Sequence, residues 1–237
     1  WSGGLMLYVL IIVISTLALR ELYNLGGLER KDLAVIGMLG NFLILTAAYQ
    51  GNITELMFML VCFFILLNIY GVLIFPLNFQ GLMLVIWGKL YITCLLAHFF
   101  WLRSLNNGFF IFLGVLLATW ASDTGAYACG LTLGKHKLIP AVSPKKSVEG
   151  AIGGILFAGI VLTFLAPLLG MSRLQAAIIG VFISLVGQTG DLAESAFKRW
   201  CNAKDSGTFL PGHGGVLDRL DSLLFAVPAA YYFFLFC

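Results

Sequence analysis

The chain has 237 residues, 60% of them hydrophobic and 11% charged, with a net charge of +3 and a mean hydropathy of +0.99. Soluble domains carry about a quarter charged and about half apolar residues, so a water-soluble fold is excluded and the solvent must be lipid. Spanning barrels are built from alternating segments of about ten residues, whereas the apolar runs here are continuous. An all-α, polytopic transmembrane bundle is therefore expected, with no nucleic-acid partner.

Eight apolar segments can each cross about 30 Å of hydrocarbon at about 1.5 Å per residue. They fall near residues 3–20, 33–50, 55–75, 81–102, 107–128, 149–170, 174–197 and 214–236. Asn24, Gly26 and Gly27 break the first pair, Gly51-Asn52 the second, Pro76 and Asn78 the third, and Asn106-Asn107-Gly108 opens the fifth segment. The odd-numbered loops hold Arg20, Arg30, Lys31, Lys135, Lys137, Lys145, Lys146, Lys198, Arg199 and Lys204, while the even-numbered loops hold Arg103 and Arg173. The positive-inside rule makes the odd loops cytoplasmic. The two long loops, 129–148 and 198–213, then face soluble nucleotides.

Several polar residues read as structural. Lys89, in mid-span, is expected to snorkel or pair with a neighbour. His98 reads as a satisfied core histidine. The five cysteines form no CxxC pair and read as small hydrophobes. Gly150, Gly153, Gly154 and Gly159 suit close helix packing.

The chemistry concentrates late in the chain. Asp191, Glu194, Ser195 and Lys198 recur at i, i+3, i+4 and i+7, so one helix face carries two carboxylates, a hydroxyl and an ammonium. Asp218, Asp221 and Ser222 repeat the pattern, after His213, Gly214 and Gly215, whose glycines permit close backbone approach and could bring amides to an anion. Two carboxylates from each of two helices form a hard, oxygen-rich pocket suited to Mg²⁺, which binds through one or two carboxylates plus substrate phosphates. No zinc spacing occurs. The loop 134–150 is basic and hydroxyl-rich, and Ser143, Lys145, Lys146 and Ser147 could hold a polyphosphate without any Walker A spacing. Asp123 and Tyr127 stand at i and i+4 just before it, where an acid could orient a lysine or reach a metal through water. Acids for a cation, bases for phosphates and a membrane-level site together point to phosphoryl chemistry on a lipid phosphate.

The pattern Ser195-x-x-Lys198-Arg199-x4-Lys204-Asp205-x7-His213-Gly214-Gly215-x2-Asp218-Arg219-x-Asp221 resembles the signature of the CDP-diacylglycerol synthase (phosphatidate cytidylyltransferase) family. Ser143-Pro144-Lys145-Lys146-Ser147-x-Glu149-Gly150 resembles the family's second motif, which often has Thr at the place of Ser147. Asp123-Thr124-Gly125-Ala126-Tyr127 and the Arg20-Glu21 helix end also look like family patterns. The resemblance implies a ninth span ahead of residue 1, and a reaction in which CTP and phosphatidate give CDP-diacylglycerol and pyrophosphate. It implies Mg²⁺ at Asp191 and Asp218, with Glu194, Asp221 and Asp123 as further candidate ligands and a monovalent ion such as K⁺ beside it. Asp191, Asp218, Lys198 and Asp221 are the expected catalytic residues. Charge and place assign Lys198, Arg199 and Lys204 to phosphate contacts, and Lys145 and Lys146 to phosphate or nucleotide contacts. Ser143, Ser195, His213, Gly214, Gly215 and Arg219 complete the expected substrate set.

Residues 1–122 are expected to form packing helices and 123–237 the catalytic region, within one integral membrane unit. A homodimer in the bacterial inner membrane, with its site on the cytoplasmic side, is expected. The rival readings are a CTP-dependent lipid kinase or a related lipid-phosphate nucleotidyltransferase and, from another class, an ion-coupled transporter. A transporter would place its acids at the midplane of paired broken helices; here they cluster at span ends.

Overall fold

Among the described residues, eight helical spans are long and apolar enough to cross a membrane, and the chain is an integral membrane protein of the all-α class. The computed structural model describes residues 3–76, 79–207 and 214–236. The helices are α1 (Gly3–Leu25), α2 (Lys31–Gln50), α3 (Ile53–Leu73), α4 (Phe79–Gly88), α5 (Leu95–Ser104), α6 (Gly108–Leu133), α7 (Val148–Leu169), α8 (Arg173–Trp200) and α9 (Leu217–Phe236). A π-helical turn, Lys89–Cys94, joins α4 to α5, and the three make a single span.

The helices start where their sequences supply caps. The Asn52 side chain accepts from the amides of Thr54 and Glu55. Ser172 and Gln175 form a reciprocal capping box on α8, and Ser147 caps α7 by accepting from Gly150. Such side chains satisfy amides that have no partner within the helix. Gly170 ends α7 at φ 71°, a conformation glycine adopts without strain. Three spans extend past their expected polar ends. α1 carries Arg20 and Glu21 within the helix, α6 runs on to Leu133, and α8 runs to Trp200.

Among the described residues, the loop between α6 and α7 holds the one two-stranded sheet. β1 (Lys137–Ile139) and β2 (Ser143–Ser147) form an antiparallel hairpin, with Lys137 opposite Ser147 and Ile139 opposite Ser143. Glu149, in the first turn of α7, binds its base: the carboxylate accepts from the amides of Lys135 and His136 and lies 2.6 Å from His136 Nδ1. No period-two hydrophobic pattern announces these strands, because both are largely solvent-facing.

Two compact units divide the chain: residues 1–101 with 205–217, and residues 102–204 with 218–237. The first is held partly by polar contacts in its apolar interior. Thr93 donates to Asn41 Oδ1 at 2.7 Å, and Asn41 donates to Ser15 at 2.8 Å. Lys89 is 2% exposed. Its ammonium donates to the Gly37 carbonyl at 2.6 Å and lies 5.6 Å from the Phe63 ring centroid, so it pairs internally rather than snorkelling. His98 is buried, with Nδ1 2.9 Å from the Cys94 carbonyl, as a core histidine should be.

The second unit is packed through small residues. A Cβ added at Gly154 would stand 2.7 Å from the Ser122 carbonyl, and one at Gly180 would stand 2.8 Å from the Ala158 carbonyl. These contacts bring α6, α7 and α8 together at near backbone distance. Between them buried Ser122 and Ser184 and half-buried Gln188 form a hydrogen-bonded cluster, so their polar groups are satisfied in lipid.

Candidate active site

The last three turns of α8 present the predicted polar face, and α9 lies against it. A Cβ at Gly190 would approach the Asp221 carbonyl to 2.5 Å, so the glycine is what admits α9 at this height. The contact brings Asp218 and Asp221 to the side chains of α8. Lys198 sits at the junction, with its ammonium 2.7 Å from Glu194 Oε2 and 2.5 Å from Asp218 Oδ1. Glu194 is 0% exposed. The Lys198 charge is its counterpart at ion-pair distance.

A second ion pair lies beside the first. Lys146, from the last part of β2, contacts Asp191, whose other oxygen receives the Ser195 hydroxyl at 3.5 Å. Asp123 and Asp191 are both within electrostatic range of Asp221 and of Lys146, and Glu194 is within range of Asp218 and Asp221. The structure therefore brings Asp123, Lys146, Asp191, Glu194, Lys198, Asp218 and Asp221 into one cluster. Five acids face two lysines.

Of the other predicted residues, Arg199 donates to the Val142 carbonyl at 3.3 Å and to the Ala203 carbonyl at 3.1 Å, tying the hairpin to the end of α8. Ser143 is half-buried, while Lys145, Lys204 and Arg219 are exposed. Ser222 is buried, and its amide donates to Asp221 Oδ1 at 2.6 Å. Ser147 is 7% exposed and serves as the cap of α7, a structural use in place of the expected polyphosphate contact. Gly214, at φ 83°, and Gly215 belong to the first unit. His213 lies outside the described residues.

The donor set is hard oxygen in excess of local positive charge. Among the described residues, no three His, Cys, Asp or Glu side chains close on one ion position. Carboxylate oxygen is the donor type that Mg²⁺ takes.

The sequence profile of the cytidylyltransferase family matches residues 1–237. The chain belongs to the cytidylyltransferase family. Among its relatives in the family, a phosphatidate cytidylyltransferase of Bacillus subtilis (strain 168) is 35% identical over 240 residues, covering 97% of this chain and 89% of that protein. One of Staphylococcus aureus (strain COL) is 34% identical over 233 residues, covering 96% and 89%. One of Staphylococcus saprophyticus is 35% identical over 238 residues, covering 96% and 89%. The family assignment agrees with the sequence signature, of which Lys198, Asp218 and Asp221 lie in the cluster.

Sequence reasoning passed over two features. Lys146 and Lys198 were assigned to phosphates, yet each already has a carboxylate partner, and the i, i+4 spacing of Glu194 and Lys198 was a readable sign of one pair. Glu21 appeared only as part of a helix end. In the structure its carboxylate accepts the amides of Val216 and Leu217, both at 2.9 Å. Nothing local in the sequence joins residues so far apart.

Proposed function

We propose that this cytidylyltransferase moves CMP from CTP to phosphatidate, giving CDP-diacylglycerol and pyrophosphate for phospholipid synthesis. The observation that carries the reading is the cluster of five acids and two lysines at the meeting of α8, α9 and the basic hairpin. The names of the relatives supply the substrate pair. An oxygen of the phosphatidate phosphate attacks the α-phosphorus of CTP. A new P–O bond forms, the α–β bridging P–O bond breaks, and pyrophosphate carries away the electron pair. The nucleophile is already ionised near neutral pH, so no general base is required.

Phosphoryl transfer needs positioning and charge neutralisation more than covalent help. Lys146 and Lys198 are each held by carboxylates, which place and orient their ammoniums. Lys145, Arg199, Lys204 and Arg219 are assigned to phosphate and nucleotide contacts and Ser143 and Ser195 to hydroxyl donation, while His213, Gly214 and Gly215 join the substrate set on the sequence signature alone. Asp191 and Asp218 would hold Mg²⁺, with Glu194, Asp221 and Asp123 beside them and room in the charge balance for a monovalent ion such as K⁺. When bound, Mg²⁺ would neutralise charge on the triphosphate and on the leaving pyrophosphate. We take residues 123–237 as the catalytic region, the basic loops as cytoplasmic, the membrane as the bacterial inner membrane and the assembly as a homodimer.

The test is direct. Purified protein is incubated with phosphatidate, Mg²⁺ and CTP labelled at the α- or the γ-phosphate. The expected product is lipid carrying the α label, lost on chelation and restored by Mg²⁺. Label transferred from the γ-phosphate alone would identify a lipid kinase, and no labelled lipid at all would overturn the reading.

A further inference from the structure

Glu21 lies outside the acidic cluster, and no step above uses it. It projects from α1 within the first unit. Its Oε1 accepts the Val216 amide at 2.9 Å, and its Oε2 accepts the Leu217 amide at 2.9 Å and the Ser206 hydroxyl at 3.1 Å. Ser206 and Val216 stand ten positions apart, so one carboxylate joins two points well separated along the chain. Leu217 is the first residue of α9, and its amide is among those that a helix leaves without an internal partner. A negative charge is favoured at such a terminus.

The fit depends on two glycines. A Cβ at Gly207 would stand 2.7 Å from Glu21 Oε1, and one at Gly215 would run into the Glu21 carboxylate and the Ser206 hydroxyl. Glycine at both positions admits the carboxylate between the two points. The residue after Leu217 is Asp218.

We propose that Glu21 is a positioning residue of the transfer reaction, a carboxylate clasp that ties Ser206 to Val216 and Leu217 and so fixes the first turn of α9 one residue before Asp218. Its catalytic consequence rests on the function proposed above; the clasp itself does not. Glu21→Gln keeps the shape and removes the charge and one acceptor oxygen. Losing a charge-assisted hydrogen bond should speed hydrogen exchange at the Val216 and Leu217 amides by about tenfold or more.

In the same variant, kcat/KM for CTP should fall by about tenfold or more, with the unfolding midpoint within about 2 °C of wild type. Glu21→Asp, which keeps the charge but draws it back by one methylene, should recover part of the loss. Glu29→Gln, at an exposed acid beyond α1, serves as the control and should change neither readout. Unchanged exchange at Val216 and Leu217 in Glu21→Gln overturns the clasp, whether or not the wild type turns over CTP. Faster exchange with wild-type kcat and KM, or activity lost only in step with folded protein, overturns the positioning role. A wild-type protein that makes no lipid-linked CMP overturns the function proposed above, and with it the catalytic consequence, while the exchange result still decides the clasp.

Discussion

Replacing Lys198 by Met tests whether its ammonium holds the acidic cluster together. The side chain is 12% exposed, its Glu194 partner 0% and its Asp218 partner 14%. Methionine fills a similar volume but leaves Glu194 as a buried charge without a counterion. Breaking a buried pair from one side costs about 3–5 kcal/mol. Two of the three groups keep some contact with solvent, so the lower end applies, about 3 kcal/mol. For a chain of this length that is a fall of about 6–12 °C in the unfolding midpoint. The assay is thermal unfolding of the detergent-solubilised protein, followed by intrinsic fluorescence. Adding Glu194→Gln to Lys198→Met removes the stranded charge and should recover most of the lost midpoint, because a neutral isostere escapes the desolvation cost. A Lys198→Met midpoint within about 2 °C of wild type, or a double variant no better than the single, would refute the reasoning.

Other outcomes follow from the same geometry. Asp218→Asn should abolish turnover, by about a thousandfold or more, while the protein stays folded as judged by its unfolding midpoint; retained activity would remove Asp218 from the reaction centre. Lys145→Ala, at an exposed lysine, should raise the KM for CTP by about tenfold with little change in stability, read by steady-state kinetics. Gly180→Val forces a side chain against the Ala158 carbonyl, where even a Cβ would stand 2.8 Å away. Overpacking of this kind should cost about 1–3 kcal/mol or more, seen as a lower unfolding midpoint, whereas a neutral result would show that α7 and α8 can separate freely.

The parts of this protein that could be read in advance are those with local causes. Spans follow from apolar runs, and the two polar faces follow from helical spacing, so Asp191, Glu194 and Lys198 appear together in sequence as they do in space. The signature placed Asp218 and Asp221 near them, although only Gly190 explains how α9 comes close enough. The hairpin was not legible, because Lys137–Ile139 and Ser143–Ser147 pair without a buried face. Ser147 looked like a ligand because a hydroxyl beside two lysines fits a phosphate; its burial and its bond to Gly150 are visible only once α7 is placed. The partner of Lys146 was hidden for a similar reason, since Asp191 is 45 positions further along the chain.

The buried Lys89 has a consequence for synthesis. Inserting a lysine at mid-bilayer costs about 2.5–3.5 kcal/mol on insertion scales. The groups that meet its ammonium, the Gly37 carbonyl and the Phe63 ring, belong to α2 and α3, which leave the ribosome before α4 does. The acceptor is therefore in the bilayer before the donor arrives. Membrane entry of the fourth span is tied to its predecessors by chain order, and a circularly permuted gene that delivered Lys89 ahead of Gly37 would lose that advantage.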